Sequence, residues 1–126
     1  MQAIWIGGDT SVTSAIDSVI AVARKAAIPV FSINPGKPDR GTLFDAGANY
    51  YDTGKLAGAL AADVLKGADT ASIPIRDVFN VVRRRLIVNR KALVGLKEPW
   101  RLPDDVVRRA DVVVDDRGIH EQKPGK

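Results

Sequence analysis

Residues 3–33 read AIWIGGDTSVTSAIDSVIAVARKAAIPVFSI, and this stretch decides the fold class. Ala3-Ile4-Trp5-Ile6 is a short apolar run ended by Gly7-Gly8, the pattern of a buried strand. Val12, Ile16, Val19, Ile20 and Ala23 then recur at spacings of three and four. That periodicity predicts a helix over about residues 11–27 with one apolar face. Thr10 or Ser11 suits its N-cap. Pro29 breaks the pattern, and Val30-Phe31-Ser32-Ile33 reads as a second buried strand. Two strands joined by a helical crossover imply parallel pairing. The expected class is α/β, a three-layer domain with a mostly parallel sheet and helices on both faces.

Further along, Asn34-Pro35-Gly36-Lys37-Pro38-Asp39 has loop composition. Residues 42–46 suit a third strand, ended by Gly47. A helix is expected over about residues 51–66, with Leu56, Leu60, Val64 and Leu65 at helical spacing. Asp52 falls in its first turn, where the helix dipole favours an acid, and Gly67 fits the C′ position. Gly54, Gly58, Ala57, Ala61 and Ala62 keep this helix thin enough for close packing. After Ile73-Pro74 the texture changes. Residues 78–82 and 86–88 suit strands flanking Arg83-Arg84-Arg85. Short helices are expected over 89–96 and 102–110, with Pro103 near the start of the second. Val112-Val113-Val114 is apolar, and a frayed polar tail is expected from Asp115.

Composition limits what this chain can do. A length of 126 residues with 45% hydrophobic and 27% charged residues fits one ordinary domain with a real core. There is no cysteine, which excludes disulfides and thiolate metal sites. The net charge of +4 is uneven. Residues 1–82 hold seven Lys/Arg and eight Asp/Glu, whereas residues 83–126 hold twelve and seven. No run approaches the roughly 18 apolar residues of a membrane span, so direct membrane insertion is not expected. No basic-then-apolar leader precedes the first strand, so a signal peptide is not expected in this chain.

In open parallel sheets, ligands bind beyond the carboxyl ends of the strands. Three polar loops stand there: Gly7-Gly8-Asp9-Thr10, Asn34-Pro35-Gly36 and Gly47-Ala48-Asn49-Tyr50. Their glycines allow positive φ and close backbone approach. The first helix start offers N–H groups to a carboxylate. Asp9 suits an ammonium, Asn34 and Asn49 a polar head, and Tyr50 or Tyr51 an apolar or aromatic wall. The combination suits a zwitterion such as an amino acid. Each of these residues also has a structural reading. Asp9 and Thr10 suit a helix cap, and Asn34 an Asx-turn before Pro35.

Other chemistries find less support. The single histidine, His120, lies in the polar tail, so no Ser–His nucleophile system is expected and no catalytic residue is assigned. No His/Asp/Glu cluster has metal spacing, the first loop lacks a P-loop lysine, and no G-x-G-x-x-G occurs. No cofactor is expected. Arg83-Arg84-Arg85 with Arg90 and Lys91 can be read as a nucleic-acid contact. A solvated strand edge is favoured over it, because no aromatic residues are interleaved.

Several segments in order carry a family resemblance: Gly7-Gly8-Asp9-Thr10, Ile28-Pro29-Val30-Phe31, Gly41-Thr42-Leu43, and Gly47-Ala48-Asn49-Tyr50-Tyr51-Asp52-Thr53-Gly54. Leu65-Lys66-Gly67, Ile73-Pro74, Val88-Asn89, Leu102-Pro103 and Arg109-Ala110-Asp111-Val112-Val113 extend it. Over about residues 2–115 the chain resembles the C-terminal portion of ABC transporter substrate-binding proteins of the type I periplasmic-binding-protein fold. The similar subgroup is the tryptophan/tyrosine-type or uncharacterised one. The resemblance implies capture of a small amino-acid-like molecule outside the cytoplasm and delivery to an ABC permease. It implies one lobe of a two-lobed clamp, here as a truncated half. Residues 1–75 would be a ligand-binding lobe fragment, residues 76–115 would return toward the hinge or missing lobe, and residues 116–126 would be a polar tail. The resemblance implies ligand contacts at Gly8, Asp9, Thr10, Asn34, Asn49 and Tyr50, although Asn34 and Asn49 depart from the acids expected in many relatives. An incomplete sheet leaves an edge, so self-association is expected there. A stand-alone regulatory or interaction module on the same fold is the alternative.

Overall fold

The computed structural model describes residues 1–34, 36–75 and 78–122, and for residues 78 and 79 the backbone alone. Pro35 of the expected loop, residues 76 and 77, and the last four residues of the expected tail lie outside the described residues. The chain divides into two compact units, residues 1–47 with 85–126, and residues 48–84.

The first unit holds a six-stranded sheet in sequence order. Its strands are β1 (Ile4–Ile6), β2 (Val30–Ser32), β3 (Phe44–Gly47), β4 (Arg85–Asn89), β5 (Val112–Asp115) and β6 (Gly118–Glu121). The pairs β1–β2, β2–β3 and β4–β5 are parallel, and β3–β4 and β5–β6 are antiparallel. The sheet is therefore mostly parallel, but its direction reverses at β3–β4. The carboxyl ends of β1 to β3 share one edge, and those of β4 and β5 lie on the opposite edge.

Register explains the layers. Side chains alternate along a strand, while paired residues on neighbouring strands share a face. Ile6, Ser32, Asp45, Ile87 and Val112 form one row across the sheet. Trp5, Phe31, Phe44, Val88, Val113 and His120 form a row on the other face. The first face is covered by α2 (Ile16–Lys25), whose Ile16, Ile20 and Ala23 pack with Ile6 and Val30. The second is covered over β4 and β5 by α5 (Asp104–Arg109) and the segment before it, through Val106, Val107 and Leu102 against Val88 and Val113. Helices thus lie on both faces. Trp100 packs on Phe31 with tilted rings, 5.6 Å between centroids, while Trp5, at the open end of the row, is 63% exposed.

The expected first helix is two helices. α1 (Thr10–Ser14) ends at Ala15, where α2 begins. The hydroxyls of Thr13 and Ser14 donate to the carbonyls of Asp9 and Thr10, a back-bonding that bends or interrupts a helix. Arg40 anchors the β2–β3 connection to α2 through Asp17 at 2.7 Å.

Two expectations are corrected. The tail from Asp115 is ordered into β6 through Glu121, because the chain reverses at residues 116–117 and pairs back on β5. Gly118 takes φ +130°, and the Asp115 carboxylate accepts the Arg117 N–H at 2.9 Å and contacts His120 Nε2 at 3.0 Å. Residues 78–81, expected as strand, form the short helix α4 (Val78–Val81), which satisfies backbone groups locally where no strand pairs with them.

The second unit holds α3 (Tyr50–Leu65), a 3₁₀ turn (Thr70–Ser72) and α4. No residue of α3 is buried. Leu56, Leu60 and Val64 form its apolar stripe, and Ile73, Pro74 and Ile75 line the same groove. Among the described residues, no helix is long and apolar enough to cross a membrane.

Candidate functional site

The site is built from the strand ends upward. β1 and β2 are parallel neighbours, so the loops after them emerge side by side. The Ile33 N–H donates to the Ile6 carbonyl at 3.2 Å, extending the ladder to the root of both loops. Neither Gly7 nor Gly8 has positive φ, contrary to the expected use of glycine here. A Cβ added at Gly7 would meet nothing within 4 Å, and at Gly8 only Ile33 Cδ1 at 3.6 Å. What these glycines supply is open space above the strand end.

Asp9 is the N-cap of α1, in extended conformation, with Oδ1 accepting the Val12 N–H at 2.9 Å. Its Oδ2 has no hydrogen bond among the described residues. Thr10 is the first helical residue and is exposed, and its carbonyl accepts the Ser14 hydroxyl. Asn34 is half-buried and fixed through its backbone, its N–H donating to Ser32 Oγ at 2.9 Å and its carbonyl accepting from that hydroxyl at 3.2 Å. Its side-chain amide remains available. Gly8, Asp9, Thr10 and Asn34 therefore belong to two adjacent loops of the first unit.

Asn49 and Tyr50 belong to the second unit. Asn49 caps α3, its Oδ1 accepting the Asp52 N–H at 3.2 Å and its Nδ2 donating to Asp52 Oδ2 at 2.6 Å. This reciprocal pair orders the first turn in the manner of a capping box. Asp52 also pairs with Lys55 at 2.7 Å, which raises the lysine pKa, and the Lys55 ammonium lies 4.7 Å from the Tyr51 ring centroid. Tyr50 is 69% exposed.

A buried polar group behind the first two loops went unrecognised in the sequence. Asp45 on β3 pairs in register with Ser32, and its Oδ2 accepts the Thr42 hydroxyl at 2.6 Å. Ser32, Thr42 and Asp45 are all buried. Burial pushes the Asp45 carboxyl up to about 6, against the opposing influence of the Thr42 and Ser32 hydroxyls and the Arg40 charge. Through Ser32, whose hydroxyl bonds Asn34, the group underpins the second loop. An acid inside an otherwise apolar strand was its only visible signal. Among the described residues no cluster of His, Asp and Glu has the arrangement to hold a metal.

Known proteins bear on this geometry. A solved structure, a conserved domain protein from Vibrio cholerae O1 biovar El Tor str. N16961, superimposes with TM-score 0.69 at 26% identity over 89% of this chain and 36% of that one. A tyrosine-binding protein from Clostridioides difficile (strain R20291) is 27% identical over 96 residues, 76% of this chain and 27% of its own length. The chain thus spans about a third or less of these relatives. The profile of the ABC transporter substrate binding protein family matches residues 1–114. With that match over nearly the whole length, the chain belongs to the ABC transporter substrate-binding protein family.

Proposed function

We propose that the chain acts in capture of an amino-acid-like small molecule for an extracytoplasmic ABC import system, without catalysis. The carrying observation is the pair of adjacent loops beyond β1 and β2, where Asp9 Oδ2, the Thr10 hydroxyl and the Asn34 amide are left over from capping and loop closure. An ammonium suits Asp9, and a carboxylate suits the hydroxyl and amide donors. The proposed contacts are Gly8, Asp9, Thr10 and Asn34, all within the first unit. The name of the Clostridioides relative, a tyrosine-binding protein, supports an aromatic amino acid.

In the intact import protein a second lobe would close over the ligand and exclude water. The fraction of its relatives that this chain spans supports reading it as part of such a clamp. Open to water on one side, the rim would bind weakly. Calorimetric or NMR titration with tyrosine, tryptophan and leucine should give weak, saturable binding that Asp9→Asn abolishes. Submicromolar affinity would refute the half-clamp reading, and tyrosine binding indifferent to Asp9→Asn would refute the site.

A further inference from the structure

A cleft of about 460 Å³ lies within the first unit, between the end of α2, the start of β2 and the segment following β4. That volume falls in the range of small-molecule sites, about 300–1,000 Å³. It lies at the amino end of β2, away from the loops of the proposed amino-acid site. Its floor is apolar, made by Ile20, Ala23, Val30 and Val114, all buried.

Four polar groups surround this floor. Arg24 and Lys91 line the cleft and are exposed, and neither forms an ion pair among the described residues. Asp39 also lines it and is likewise unpaired there. Asn89 is only 3% exposed. Its Oδ1 accepts the Lys91 N–H at 3.0 Å, which fixes the amide's orientation. Its Nδ2 donates to no other group among the described residues. Ala27, at the edge of the cleft, holds φ +56°, a left-handed conformation that non-glycine residues seldom adopt, fastened by the Lys97 N–H on its carbonyl at 2.8 Å.

We infer that this cleft binds a small monocarboxylate carrying a compact apolar body, with the carboxylate received by Arg24, Lys91 and the Asn89 amide. Two unpaired cations and an amide donor select an anion. Asp39 reduces the local charge to a single positive excess, which suits a monoanion better than a dianionic phosphate. The buried aliphatic floor takes the hydrocarbon part. This site is independent of the one proposed for amino acids.

The test is a ¹H–¹⁵N NMR titration of the whole chain with benzoate, and in parallel with inorganic phosphate and benzylamine. Benzoate should saturably shift the Asn89 side-chain NH₂ and the backbone amides of Ala27, Lys91 and Gly95. Arg24→Gln and Lys91→Gln should each weaken it about threefold to fivefold, in line with exposed charge contacts, while the rest of the spectrum is unchanged. Asp39→Asn should strengthen it about twofold, and Asp9→Asn should have no effect. Phosphate should bind more weakly than benzoate. The inference is overturned if benzoate leaves the cleft resonances unmoved, if benzylamine or phosphate binds there as well as benzoate does, or if both cation variants bind benzoate like the parent.

Discussion

Asp45 carries the clearest consequence of a single side chain. Its row neighbours are Ser32 and Ile87, and burial lifts its carboxyl from the ordinary value of 3.8 to about 6. The folded protein therefore holds this proton more tightly than the unfolded chain. The sign follows: the stabilising contribution is complete below about pH 3.8 and is lost as pH rises through about 6. At neutral pH the charged group costs on the order of 3 kcal/mol. Asp45→Asn keeps an acceptor for the Thr42 hydroxyl and removes the charge. Denaturant unfolding should find the variant more stable than the parent at pH 7 by up to roughly that amount. The difference should shrink as pH falls toward 4, and an equal difference at both pH values would show that ionisation is not its source. The acid was plain in the sequence, but its partner was not, since only register sets Ser32 beside it.

Among the elements, helix ends show how much was legible. α2 and α3 both finish in the same paired-bond motif. In α3 the Ala68 N–H reaches the Asp63 carbonyl at 3.0 Å and the Gly67 N–H the Val64 carbonyl at 2.9 Å, with Gly67 at φ +98°. In α2 the Ile28 N–H reaches the Ala23 carbonyl at 3.0 Å and the Ala27 N–H the Arg24 carbonyl at 3.1 Å. Here alanine occupies the left-handed position. Ala27→Gly should raise stability by up to about 1 kcal/mol, the left-handed strain relieved exceeding the added chain entropy. A lower urea midpoint in the variant would contradict this. Gly67 was readable as a terminator because glycine advertises its role, whereas Ala27 was silent. The strands and helices of the first 66 residues carried strong periodicity and were largely legible. The break at Ala15 depends on hydroxyl back-bonds, and β6 on pairing with β5, neither of which periodicity records. The adjacency of the loops bearing Asp9 and Asn34 was legible because parallel pairing dictates it. Asp9's commitment of one oxygen to capping was a matter of geometry.

For the molecule as a whole, the sheet of the first unit has two outer strands. β6 is largely exposed, with Arg117 just before it and Glu121 at its end, the kind of charge that discourages further pairing. β1 is three residues long, apolar, and ends the row at Trp5. Association between copies is therefore expected at β1. Sedimentation velocity over a rising concentration series should show species heavier than one chain, and Trp5→Lys should reduce them. A strictly monomeric profile at high concentration would count against this. The two tryptophans turn this exposure into a signal. Trp100 is half-buried, packed against the Phe31 ring, with its indole N–H unbonded among the described residues, whereas Trp5 faces solvent. Acrylamide should therefore quench one emitter readily and the other poorly. Whatever covers β1 should shift the emission toward the blue, so the molecule carries its own unlabelled optical gauge of occupancy at that edge.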